Sequence, residues 1–217
     1  MERFKIAIII PAYNESKTIA KVVDSCKKFG QVFVIDDASV DKTFLLAKKS
    51  GATVLKNPFN KGYDASLAVG FDFLKNYSFD FVITFDADNQ FYSNELLKIK
   101  KLINQNVDLI IGERSRICRI SEKIFSYYCK FFFKINDPMC GVKCYNFKIF
   151  KDIGYFDRYN SIGTDLMFEF IKKKSKYKNI NLSVKKRVGS SRFGNSISAN
   201  IKIFKSFIKH FYYYAFK

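Results

Sequence analysis

What most constrains this chain is the alternation in its first half. Short runs rich in Ile, Val and Phe are each followed by a segment with helical spacing. "FKIAIII" reads as a buried strand ended by Pro11. "NESKTIAKVVDSCKKFG" then places Ile19, Val22, Val23 and Cys26 at helical intervals and stops at Gly30. The pairing recurs, with strands at "QVFVI", "ATVLKN", "FDFVITF" and "VDLIIG". The intervening helices are "SVDKTFLLAKKSG", "DASLAVGFDFLKNY" and "SNELLKIKKLINQN", the last with Ser93 as its expected cap. Such alternation predicts an α/β fold with a doubly wound, mostly parallel sheet. Ligands of these sheets bind outside the carboxyl ends of the strands. The polar clusters "PAYNE", "DDAS" and "DADNQ" fall on those ends, so separate strands aim polar groups at one rim.

The second half is less regular. Ile120, Ile124, Tyr128, Phe131 and Ile135 have helical spacing, and a break follows at "NDPMCG". "KCYNFKIFKDIG" mixes strand and helix, "GTDLMFEFIKKK" is helical and "INLSVKKR" is a strand. After the loop "VGSSRFGNS", a last helix carries Ile197, Ile201, Phe204, Ile208, Phe211 and Ala215 on one stripe beside Lys202, Lys205 and Lys209. With 217 residues, 48% of them hydrophobic, the chain is long enough for one core. A single domain over 1–217 is expected, with a nucleotide-binding half at 1–115, an acceptor half at 116–195 and a basic amphipathic helix at 196–217.

Charge narrows the partners. The formal net charge is +18, and no acidic residue follows Glu169. A one-signed tail of this kind attracts nucleic acid, anionic lipid or a phosphorylated substrate. The cysteines form no C-x-x-C pair and the lone histidine, His210, is remote, which argues against zinc. The odd cysteine count and the lack of a signal segment indicate a reducing cytosol. No stretch reaches the roughly 18 to 20 apolar residues of a membrane-spanning helix, so contact with a membrane is expected to be peripheral.

The acidic rim carries the chemistry. Asp88 and Gln90, two apart in an extended segment, would face the same way and offer oxygens to one cation. Hard oxygen ligands suit Mg²⁺ or Mn²⁺ bridging to substrate phosphates. Asp36 and Asp37 can accept hydrogen bonds from a base or ribose, with Pro11, Tyr13 and Glu15 around the same group. Neither G-x-G-x-x-G nor G-x-x-x-x-G-K-[ST] is present, which leaves a nucleotide site built from carboxylates and a metal.

In this order and spacing, "PAYNE", "VIDDASVDKT", "NPFNKGYDASLAVGF" and "FDADNQ" resemble the inverting family 2 glycosyltransferases that use nucleotide-sugar donors. Later, "IIGERS", "DPMCGVKCY" and "RVGSSRFG" resemble that family's G-S-R, D-x-x-x-G-[FV]-[KR] and R-x-G-x-S-[KR] segments. These pieces look most like the branch of dolichol-phosphate mannose synthase and bacterial polyprenyl-phosphate glycosyltransferases. The resemblance implies a GT-A-like fold and sugar transfer from a nucleotide-diphosphate sugar. By that resemblance Asp37 holds the base with Pro11, Tyr13 and Glu15, and Asp86 contacts the nucleotide. Asp88 and Gln90 bind the metal on the diphosphate, while Arg114, Arg187 and Arg192 hold phosphates. Two segments depart from the pattern: "KGYDAS" stands where G-K-G is common, and Arg192 stands where Lys is usual.

A hydroxyl acceptor needs a carboxylate base within about 3 Å, and Asp137 and Asp165 are the candidates. A phosphate acceptor is already anionic and needs none. The expected acceptor is a polyprenyl phosphate at the inner face of the cytoplasmic membrane, where polybasic segments are attracted. The alternative is a sugar hydroxyl of a growing glycan. A sugar-phosphate nucleotidyltransferase would want a Gly-rich basic loop after the first strand, which "PAYNESK" does not supply. A nucleic-acid binder would account for the charge but not for the acidic rim, so no nucleic-acid partner is expected.

Overall fold

The computed structural model describes residues 4–115, 119–158, 161, 163–185 and 196–215, with backbone alone at 196–199, 202 and 214–215. In chain order the elements are β1 (Ile6–Ala12), α1 (Ile19–Cys26), β2 (Gln31–Asp36), α2 (Thr43–Lys49), β3 (Thr53–Lys56), α3 (Tyr63–Leu74), β4 (Phe81–Thr84) and α4 (Glu95–Ile103). There follow β5 (Leu109–Arg114), α5 (Ile120–Phe133), β6 (Lys143–Asn146), α6 (Phe147–Ile153), α7 (Asp165–Lys172), β7 (Tyr177–Leu182) and α8 (Ser196–Ala215).

The strands form one 7-stranded sheet in the order β3-β2-β1-β4-β6-β5-β7. It is mostly parallel, as the alternation predicts. The exception is β6, which runs antiparallel to both β4 and β5. This reversal matters for the site. The carboxyl ends of β1, β2, β4 and β5 share one rim, and β6 starts at that rim. Residues just before β6 therefore join residues that follow the parallel strands.

Period-two alternation sends β1 side chains to opposite faces of the sheet. Ile6, Ile8 and Ile10 pack with Val22, Val23 and Ile99 on one side. Ala7 and Ile9 pack with Leu67, Phe71, Phe125 and Phe168 on the other.

Three local expectations shift. Pro11 does not end β1, which runs on to Ala12 with Pro11 paired in register to Ile35. The first helix starts at Ile19 rather than Asn14; Asn14 has a left-handed φ of 52°, and Thr18 is the cap position. Ser93 does not cap α4. Asn94 holds that position without a side-chain bond, and Ser93 contributes only its carbonyl, to Leu96 N–H.

The amphipathic faces of α5 and α8 are the larger surprise. Of the apolar residues spaced along α5, Ile120, Ile124 and Phe131 lie exposed, and Tyr127 and Phe132 are exposed beside them. The buried side of that helix is Ser121, Glu122, Phe125, Ser126 and Cys129. On α8, Ile201, Phe204, Ile208 and Phe211 are exposed, whereas Ile203, Ser206 and His210 are buried. The two helices pack together through Tyr128 against Phe207 and Phe211, and through Ser121 Oγ–H donating to Asn200. Much of both predicted stripes thus faces outward on adjacent helices, whereas Ile135 is buried and the inward sides combine Phe125, Cys129 and Ile203 with Ser121, Ser126, Ser206 and His210. No described helix is long and apolar enough to cross a membrane.

Candidate active site

The site starts where β4 runs out. Phe85 and Ala87 are buried in the core, and Phe91 closes the segment by packing on Phe85. Asp86, between the two anchors, lies against the opposite layer. There Tyr63 at the start of α3 donates its hydroxyl to Asp86 Oδ1 at 3.2 Å. Gly141, just before β6, leaves room for this carboxylate: a Cβ there would lie 2.4 Å from both Asp86 oxygens.

The next residues form a turn rather than an extended segment. Asn89 takes a left-handed φ of 58°, and Gln90 N–H donates to Asp88 Oδ1 at 3.0 Å. Strand alternation therefore does not relate Asp88 to Gln90; an Asx-type turn does. The turn is tied to the chain after β7, where Lys185 N–H donates to the Gln90 carbonyl at 2.7 Å and Phe91 bridges Val184.

Burial, and then the negative charge of Asp88, push the Asp86 carboxyl up to about 6. Among the described residues no group of three or more Asp, Glu, His or Cys could cage a metal. A pair of carboxylates on a tight turn fits a hard cation that takes its remaining ligands from phosphate oxygens and water. It does not fit a closed structural site. A cation held there would also relieve the repulsion that Asp86 experiences.

The raised Asp86 value carries a pH prediction. Between the ordinary carboxylate value of 3.8 and about 6 the native protein binds more protons here than the unfolded chain does. Metal-free protein should therefore lose stability as pH rises through that window. Urea unfolding in EDTA should show this loss in the wild type and not in Asp86→Asn. Parallel curves for the two proteins would contradict the assignment.

Around this turn the rim residues take defined positions. Asp37, closing β2, accepts from Asn57 Nδ2 and Lys61 N–H on Oδ1 and from Gly62 N–H on Oδ2, each at 2.8 Å. Its carboxylate organises the loop that leads into α3. Asp36 is fully buried with Oδ2 lacking a hydrogen-bond partner. Pro11 and Tyr13 are half-buried, and buried Glu15 accepts the Thr18 hydroxyl at 2.9 Å.

Asp137 and Asp165 are each gripped by an arginine. Asp137, 1% exposed, accepts Arg114 N–H and Nε–H on Oδ2 at 3.0 and 2.7 Å, and Nη2–H on Oδ1 at 2.9 Å. Arg114 also donates to Glu122, which accepts from Arg119 as well. Asp165, fully buried, accepts three hydrogen bonds from Arg158. Arg187 and Arg192 lie outside the described residues.

Two participants escaped the sequence reading although both stand in "DPMCGVKCY". Gly141 seats Asp86, and Lys143 opens β6 with its side chain buried. Its Nζ donates to the Cys140 carbonyl at 2.6 Å, and burial lowers its proton affinity. A lysine among the apolar residues of a strand was the available signal.

Beside Arg114 a recess of about 410 Å³ opens between the end of β5 and α5. Lys123, Ser126, Tyr127 and Lys130 form its helical wall. Ser126 Oγ is buried there without a hydrogen-bond partner.

The family model for glycosyl transferase family 2 matches residues 7–180. The chain belongs to that family. It is a nucleotide-sugar-dependent glycosyltransferase, as its motifs imply. A protein of uncharacterised function from Methanocaldococcus jannaschii is 29% identical over 165 residues, covering 69% of this chain and 68% of its own. The UDP-N-acetylglucosamine–dolichyl-phosphate N-acetylglucosaminyltransferase of Methanococcus voltae is 28% identical over 129 residues, which is 50% of this chain and 51% of that protein. The chain matches about half the length of that relative. Among solved structures, glucosyl-3-phosphoglycerate synthase from Mycobacterium tuberculosis, in complex with Mg²⁺ and UDP, superposes with a TM-score of 0.72 at 18% identity. The match covers 95% of this chain and 79% of that one, and it shows that the glycosyltransferase fold is shared.

Proposed function

We propose that this glycosyltransferase moves a sugar, with inversion, from a nucleoside-diphosphate donor to a polyprenyl phosphate at a membrane surface. The observation that carries the reading is a juxtaposition. Arg114, whose charge acts on Asp86, lines a recess that holds Lys123 and Lys130 beside Glu113 and Asp137, and Tyr127 of its wall belongs to an outward apolar face.

On the donor side, Asp37, Pro11 near the end of β1, and Tyr13 and Glu15 just after it surround the base. Asp86 faces the nucleotide and its sugar. Asp88 and Gln90 hold a Mg²⁺ or Mn²⁺ ion, which when bound supplies positive charge to the departing diphosphate. The solved relative bound to Mg²⁺ and UDP supports the choice of ion. Arg187 and Arg192 are assigned to phosphates by the motif they stand in.

On the acceptor side, Arg114, Lys123 and Lys130 offer positive charge and Ser126 a buried hydroxyl to a phosphate entering the recess. Phosphate oxygen attacks the anomeric carbon as the sugar–diphosphate bond breaks, and the nucleoside diphosphate departs with the electron pair. An anionic nucleophile needs no general base. This fits the state of Asp137 and Asp165, whose oxygens accept hydrogen bonds from guanidinium groups. Both are read here as positioning groups for Arg114 and Arg158 rather than as bases. Residues 1–115 mainly serve the donor, 116–195 the acceptor and 196–217 the membrane, with Arg114 reaching across to the acceptor recess and Arg187 and Arg192 to the phosphates. The dolichyl-phosphate relative supports the acceptor class.

The apolar residues exposed on α5 and α8 alternate with exposed Lys123, Lys130, Lys205 and Lys209. Interfacial helices have this composition, and an exposed apolar patch beside basic residues suits an anionic bilayer on the cytoplasmic face. Ile124→Asp combined with Phe131→Asp should cut cosedimentation with anionic vesicles at least about tenfold, since each charge must be dehydrated to enter the interface. The melting temperature should stay unchanged because both positions are exposed. Transfer to undecaprenyl phosphate in mixed micelles is the direct test of the acceptor. Transfer only to oligosaccharide hydroxyls would refute the lipid-phosphate reading.

A further inference from the structure

Lys143 is 3% exposed. Lysine is almost never buried this deeply unless paired. Arg114 and Arg158 each sit against carboxylates, but among the described residues no carboxylate lies within salt-bridge distance of Lys143. An ammonium has three donors. The Nζ of Lys143 makes one hydrogen bond among the described residues, to the Cys140 carbonyl. Its remaining N–H bonds are unassigned in a place where leaving them so is costly.

The surroundings indicate what those donors serve. Antiparallel β6 delivers Lys143 to the rim opposite Thr84, two residues before Asp86. Gly163 lies alongside with φ +70°. A Cβ on Gly163 would stand 4.0 Å from Lys143 Nζ and 3.8 Å from Tyr63 Cε1, so a side chain there would fill a nook that the glycine leaves open. Tyr63 in turn donates to Asp86. The nook therefore offers a fixed donor, Lys143, and a fixed acceptor, Asp86. Each sugar hydroxyl both donates and accepts, and neighbouring hydroxyls are well met by such a mixed pair.

We propose that Lys143 is a specificity-determining residue that donates to a hydroxyl of the transferred sugar, in a subsite completed by Asp86, Tyr63 and Gly163. This rests on the donor-site reading above. A diphosphate, by contrast, is served by the Asp88 turn and the arginines. Lys143 carries the cost of a buried, under-bonded ammonium for recognition rather than for stability.

The test uses Lys143→Met, close to isosteric and uncharged. The probes are UDP-glucose, UDP-N-acetylglucosamine and GDP-mannose, each compared with UDP or GDP alone in the presence of Mn²⁺. Removing a buried charge should leave the melting temperature unchanged or raised. The Kd of the nucleotide-sugar that wild type binds best should rise about tenfold, the loss expected when one charged hydrogen bond is removed. The Kd of its bare nucleotide should not move. Lys143→Arg should keep the charge and still change the preference among sugars, because guanidinium is planar and longer. Equal loss for both ligands would assign Lys143 to the diphosphate, and a lowered melting temperature with unchanged binding would make it structural; either overturns the proposal. If wild type binds no nucleotide with Mn²⁺, the donor-site reading itself fails, and that result is distinct from the other two.

Discussion

Asp88→Asn should abolish metal-dependent turnover while leaving the fold intact. The substitution keeps the shape of the turn and removes the charge that would face the cation. A loss of about 100- to 1,000-fold in kcat is expected, the range seen when one group that stabilises developing charge is removed. Stability should not fall, because Asp88 sits next to Asp86 and its charge raises the Asp86 carboxyl. The variant should therefore melt at or above the wild-type temperature in EDTA. Initial rates with and without Mn²⁺, together with melting curves, check both halves. A variant that retains wild-type rates would remove the metal from the Asp88 turn.

The largest effect on stability is expected at Asp137. Its carboxylate takes three hydrogen bonds from Arg114, at the end of β5. Asp137→Ala would leave a largely buried guanidinium with only Glu122 as a partner. Breaking a buried ion pair from one side costs about 3 to 5 kcal/mol. Removing both charges with Asp137→Leu and Arg114→Met should restore much of that loss, since a well-packed apolar pair replaces the ion pair. Activity should not return in the double variant, because Arg114 lines the recess read as the acceptor site. Urea denaturation of the single and double variants measures the coupling. Equal destabilisation by both would show that packing, not charge pairing, dominates there.

The strand–helix order was legible because apolar period and Gly stops are local signals. "FKIAIII" and "QVFVI" became β1 and β2, and the acidic clusters fell on one rim as the alternation requires. The antiparallel insertion of β6 was not legible. Nothing in "KCYN" distinguishes the direction of a strand, and that direction brings Gly141 and Lys143 beneath Asp86. The expected strand alternation of Asp88 and Gln90 does not hold, since a left-handed Asn89 makes a turn where extended backbone was expected. The α5 and α8 stripes were correctly spaced, but periodicity cannot say whether an apolar face looks inward or outward. Phe125, Cys129 and Ile203 occupy the inward sides with Ser121, Ser126, Ser206 and His210, and Ile124, Phe131, Phe204 and Ile208 are left at the surface. The arginine partners of the candidate bases Asp137 and Asp165 were not legible: Arg114 stands 23 residues from Asp137, and nothing in the sequence marks Arg158 as the partner of Asp165.

The measurement that tests the central claim most directly is nucleotide-sugar binding by calorimetry, with Mn²⁺ or with EDTA, for wild type and Asp88→Asn. UDP-, GDP-, dTDP- and CDP-sugars form the panel. The expected result is binding of one donor class by wild type with Mn²⁺, lost both in EDTA and in Asp88→Asn. Binding that is indifferent to metal and to Asp88, or no binding of any donor by folded wild type, would contradict the account of "FDADNQ" as the metal and diphosphate turn.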